Sequence, residues 1–108
     1  MAYTDKQEFK IPRHIILKGG VSVESITGVR TMDYNDSQVQ ILDNSSGVVL
    51  DCKLPEAKEG AFFFIHNAGS HAIHIRDAGT TVTYAILATG EGCMVASSAS
   101  DYHLVMKA

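Results

Sequence analysis

Only two cysteines, Cys52 and Cys93, occur in the 108 residues. That is too few for a disulfide scaffold. No C-x-x-C pair is present, so neither that redox motif nor a paired-cysteine metal site is indicated. Each cysteine sits in an apolar run, where a thiol serves as a small core side chain. No stretch approaches the roughly 18 apolar residues of a membrane-spanning helix. The polar start MAYTDKQEFK lacks the apolar segment of a secretory signal. Helical periodicity is missing as well, so no long helix is expected.

The signatures of catalysis are equally sparse. The serines Ser97, Ser98 and Ser100 lie near Asp101 and His103, but the G-x-S-x-G elbow is absent and turn residues look like this. Gly19-Gly20 and Gly90-Glu91-Gly92 lack the lysine and hydroxyl of a phosphate loop. The acids Asp51, Glu56, Glu59, Asp77, Glu91 and Asp101 fall in or beside loops, where a solvated rim is the simpler reading. His66, His71, His74 and His103 invite a metal, as in a cupin-like enzyme. Yet His71 and His74 are an odd number apart and point to opposite sides of a regular strand. His66 could meet one of them only across a hairpin. The sequence therefore predicts no catalytic residue, no metal and no cofactor.

What is present is strand and turn grammar. Apolar residues make up 45% of the chain, enough for one packed domain. From Leu54 to Met106 short apolar runs alternate with glycine-bearing breaks: Phe62–Ile65, His71–Ile75, Val82–Leu87, Cys93–Ala96 and Tyr102–Met106. Upstream, Ser37–Leu42 alternates, with Val39 and Ile41 on one face. Asp43-Asn44-Ser45-Ser46-Gly47 reads as a hairpin-type loop before a paired strand from Val48 to Leu54. Pro55–Gly60 could hold one helical turn. This spacing predicts an all-β fold, an antiparallel β-sandwich, jelly roll or small barrel.

Charge divides the chain. Residues 1–30 carry net +2 and residues 31–108 carry net −5. An acidic body argues against nucleic-acid binding. The sequence thus predicts an extended N-terminal arm, residues 1–30, and a β body, residues 31–108. Val21–Ile26 in the arm reads as a strand.

Three runs lack the one polar face of a solvated antiparallel strand. They are Phe62-Phe63-Phe64-Ile65, Tyr84-Ala85-Ile86-Leu87 and His103-Leu104-Val105-Met106. Phe62, Phe63, Phe64, Tyr84, Ile86, Leu104 and Met106 are therefore expected at a subunit interface of a closed oligomer.

Leu54, Pro55, Ala57, Gly60, Ala61, Phe63, Ile65 and Asn67, then Ile73, Ile75, Asp77 and Gly79, then Gly90, Gly92 and Tyr102, form an order similar to one in bacteriophage virion proteins. Over residues 47–106 the chain resembles small capsid decoration (cement) proteins and β-rich tail or fibre modules. Tyr102 stands where the pattern often has tryptophan. The resemblance implies a non-enzymatic homotrimer on the outer surface of the capsid, bound to the major coat protein, with neither nucleic acid nor membrane as partner. It also gives the arm a role. Lys6, Lys10, Arg13 and Lys18 would meet acidic groups of the coat, and Phe9, Ile11, Ile15 and Ile16 would anchor it. The alternative is a tail, fibre or carbohydrate-binding module, with Tyr34 and Tyr102 as candidate aromatic contacts.

Overall fold

Three times in succession the chain lays one strand in a first sheet and the next in a second. The computed structural model describes Leu17 and residues 19–108. The strands are β1 (Val21–Ile26), β2 (Arg30–Thr31), β3 (Val39–Asn44), β4 (Leu50–Lys53), β5 (Phe62–Asn67), β6 (Ile73–Arg76), β7 (Thr83–Leu87), β8 (Gly92–Ser97) and β9 (Tyr102–Lys107). One sheet has five strands in the order β1-β3-β5-β8-β9, the other four in the order β2-β4-β6-β7. β1, β3 and β5 are parallel, as are β2, β4 and β6. Only the last strands reverse, β7 against β6, β8 against β5 and β9 against β8.

The fold is all-β, as the spacing predicts, but both sheets are mixed and neither closes into a barrel. The antiparallel expectation is corrected at one point above all. Residues 43–47 do not join a hairpin. They turn the chain from β3 in one sheet to β4 in the other. Pro55–Gly60 forms bends and a turn without a helix.

An asparagine side chain makes the corners that follow β3 and β5. Asn44 Oδ1 accepts from the Ser46 amide (3.1 Å) and hydroxyl (2.7 Å), and its Nδ2 donates to the carbonyls of Val48 (2.9 Å) and Ala72 (2.8 Å). Asn67 repeats the arrangement one coil later. Its Oδ1 accepts from the Gly69 amide (2.9 Å) and its Nδ2 donates to the carbonyls of His71 (2.8 Å) and Leu87 (3.0 Å). Each amide thus satisfies its own turn and also holds a carbonyl of a later segment. Both asparagines are fully buried, so these bonds satisfy groups that water cannot reach. The Ser70 and His71 amides donate to the Asn44 carbonyl at 3.1 and 3.2 Å. The second corner therefore sits directly on the first. Gly69 lies so close that a Cβ there would be 2.2 Å from the Asn44 nitrogen.

Alternation sorts the remaining side chains. Leu42, Phe63, Ile65, Cys93 and Val95 from one sheet and Leu50, Cys52, Ile73, Ile75, Ala85 and Leu87 from the other share one buried cluster. The first coil ends in charge. Arg30 Nε bonds Glu24 Oε1 at 2.9 Å and its Nη2 meets Asp36 Oδ1 at 3.0 Å. Burial disfavours the Asp36 carboxylate, but the Arg30 hydrogen bond and the Asp33 amide outweigh it and hold its pKa below the ordinary value.

Substitutions at the corners and at this ion pair test both. Gly69→Ala should destabilise the protein by about 3 kcal/mol or more, because the clash is with backbone. Asn67→Ala should cost about 1–3 kcal/mol through the carbonyls it strands. Urea unfolding measures both, and near-wild-type midpoints would contradict the corner assignment. Asp36 binds its proton more weakly folded than unfolded, so its stabilisation is present above about pH 3.9 and lost as pH falls through the folded pKa. Asp36→Asn should flatten the acid limb of a stability–pH curve.

Candidate functional site

Register turns single alternating strands into a surface. Val21 pairs with Val39, Val39 with Phe64, Phe64 with Met94 and Met94 with Met106. An unbroken apolar row therefore crosses the outer side of all five strands. Beside it run Val23, Ile41, His66 and Gly92 on one flank, and Phe62, Ala96 and His103 on the other. Their neighbours Leu42, Phe63, Ile65, Cys93 and Val95 point inward and are buried, as the two-residue period requires. Val21, Val23 and Met106 are 54%, 72% and 55% exposed. Phe62 and Phe64 meet edge to face at 5.9 Å.

Gly92 opens a hollow in this face. With no side chain opposite His66, it leaves a depression of about 400 Å³ lined by Val39, Phe64, His66, Met106 and Ala108 among others. The Gly92 and Ala108 backbones hydrogen-bond to each other at 2.8 and 2.9 Å and fix its floor.

The four-stranded sheet presents the opposite character. Asp51, Lys53, His74 and Arg76 alternate with its buried residues. Arg76 Nη1 and His74 Nδ1 stand 3.8 and 3.9 Å from the Asp51 carboxylate. One outer face is thus charged and the other apolar.

The residues expected at an interface are divided by the structure. Phe62, Phe64 and Met106 come together on the outer face. Leu104 pairs with Val95 on the last strand and is 42% exposed. Phe63 turns into the core between Tyr34 and Tyr102. Ile86 lies across from His74 on the charged face, 53% exposed. Tyr84 falls at a bulge between the Ile75–Ala85 and Arg76–Thr83 pairs and packs edge to face on Tyr102. Lys6, Phe9, Lys10, Ile11, Arg13, Ile15, Ile16 and Lys18 lie outside the described residues. Val21, Val39, Ile41, Gly92 and Met94 belong to the face but were not singled out from sequence. Their alternation was legible, whereas the register that aligns them was not.

The described histidines do not converge. His66 and His74 face outward from different sheets and so do not meet. His71 Nδ1 is 3.1 Å from the Ser70 hydroxyl, and His103 Nε2 is 2.9 Å from that of Ser98. Among the described residues no three or more histidine, cysteine, aspartate or glutamate side chains gather as metal ligands would. Tyr102 is 4% exposed, and its hydroxyl lies 3.2 Å from that of Tyr34. Burial raises its pKa. Cys52 and Cys93 are free and buried. Burial pushes their thiols up to about 12 and about 11, far from the thiolate that nucleophilic chemistry requires.

Compared with protein-family models, with curated proteins and with solved structures, the chain matches none.

The thiols give a direct check of the packing. At pH 8 in native buffer neither cysteine should react appreciably with Ellman's reagent, whereas two thiols per chain should react in denaturant. Rapid native labelling would place a thiol at the surface.

Proposed function

We propose that this chain is a non-enzymatic structural protein of a phage virion, a capsid decoration protein that binds the outer shell as an oligomer and stabilises it. In this reading the two sheets form the sandwich body of a homotrimer. The residues before β1 carry the contact with the major coat protein through Lys6, Lys10, Arg13 and Lys18 and the apolar Phe9, Ile11, Ile15 and Ile16. The observation that carries the reading is the contrast between the outer faces. An apolar face of this extent is unusual on a free monomer and suits a module built into an assembly.

Cross-bridging is the mechanism. An oligomer that holds several coat subunits at once adds modest contacts through effective concentration. No step of this kind needs a nucleophile, a metal or a cofactor. The virion assignment comes from the resemblance over residues 47–106, and the basic N-terminal segment beside an acidic body suits docking on an acidic surface. A tail or fibre module is the second reading, favoured by the stacked parallel coils, which suit an elongated assembly.

Deleting residues 1–18 should abolish co-sedimentation with the phage's own capsids while the β body keeps its circular dichroism. Normal occupancy by the truncated chain would refute the arm's role. Copy number per particle separates the two readings, since decoration proteins number in the hundreds and fibres few.

A further inference from the structure

We infer that the outer face of the five-stranded sheet is the seat of a second copy of this chain, with the Gly92 hollow receiving an apolar side chain of that copy. The inference deepens the assembly reading above and rests on it only for the premise that copies associate.

Charge points to the occupant. Among the described residues of these strands, the exposed Lys107 at the end of β9 is neutralised by Glu91 at 3.0 Å, and by register the one outward formal charge is that of Asp43. It lies at the margin, beyond the apolar row and paired with Ser25. A face that meets its own copy must avoid setting like charges against each other, and this one does. The rest of the molecule could not act so. Outside residues 1–30 the chain carries net −5, and the other sheet shows Asp51, Lys53 and Arg76. An oppositely charged partner would find little to hold on the apolar face.

Size and relief agree. Five strands about 4.8 Å apart and about six residues long span roughly 24 by 20 Å, about 480 Å² in plan. Side-chain relief increases the accessible area toward the roughly 800 Å² that each partner gives to a standard contact. Sheets pack face to face about 10 Å apart by interdigitating side chains. Val23 and Met106, 72% and 55% exposed, stand out from the face, and the Gly92 hollow, walled by the half-buried Phe64, is a recess. Knob and hole on one surface are what a contact between identical faces needs. Gly92 supplies the recess by lacking a side chain. A Cβ there would stand 3.3 Å from the Ile65 carbonyl oxygen and 3.4 Å from His66 Nδ1, a tight but adjustable fit.

The test is the solution mass of the full chain by size exclusion with light scattering. Wild type should run at two or more times 11.7 kDa. Phe64→Asp and Met106→Asp should each weaken association at least tenfold, and Gly92→Leu should weaken it by filling the hollow. Ile86→Asp, on the charged face, should leave the mass unchanged. Thermal melts identify any variant that fails to fold, and the three face substitutions act independently. Wild-type monomer, an oligomer that tolerates all three face substitutions, or dissociation by Ile86→Asp alone would overturn the proposal. Capsid binding separates this outcome from the previous one. Association through the face without capsid binding removes the decoration reading and keeps the interface. Decoration by a protein that is monomeric in solution does the reverse.

Discussion

Two buried asparagine amides fix where this chain turns. Asn44 and Asn67 each close their own corner and hold a carbonyl of a later segment. Because the second corner rests on the first through the Asn44 carbonyl, the strands that leave the corners inherit a common register. Everything beyond follows from that register. A shift by one residue would send Leu42 and Ile65 to the outside and bring Ile41 and Phe64 in. The buried amides exclude that shift, since each would leave its partners unsatisfied in a dry interior.

The fold class was legible in the sequence because turn residues and short apolar runs are local signals. The path was not. Asp43-Asn44-Ser45-Ser46-Gly47 has the composition of a hairpin and of a corner between sheets alike, since both need a sharp reversal with side-chain hydrogen bonds. A weak repeat of 23 residues would have separated them. Asn44, Leu50, Cys52 and Lys53 recur as Asn67, Ile73, Ile75 and Arg76, and these pairs include three register partners of β4 and β6. Such a period marks stacked coils, but few of its positions match, so it is overshadowed by the turns. The apolar doubling at Phe62–Ile65 was also legible and does mark a strand with two apolar sides. Which side each phenylalanine takes required the bounds of β5.

The two outer faces divide the labour of a single small body. Asp51, His74 and Arg76 on one side form a hydrated surface with its charges near one another. The other side gathers valines, phenylalanines and methionines from strands as far apart in sequence as Val21 and Met106. Such a face does not exist in any partly formed sheet. It arises only when β9 has folded back on β8, so its surface is complete only in the finished fold.

The charged end of the first coil has a consequence for growth. Among the described residues β1 and β2 are the outermost strands of their sheets on one side, the edge at which a coil of parallel strands accepts another coil. Arg30, locked to Glu24 and to Asp36, sits with Glu24 where the next layer would have to bury its apolar side chains. Inward-pointing charge on an edge strand is a known barrier to edge-to-edge pairing. Among the described residues, this end of the stacked coils is therefore capped by paired charge rather than left apolar.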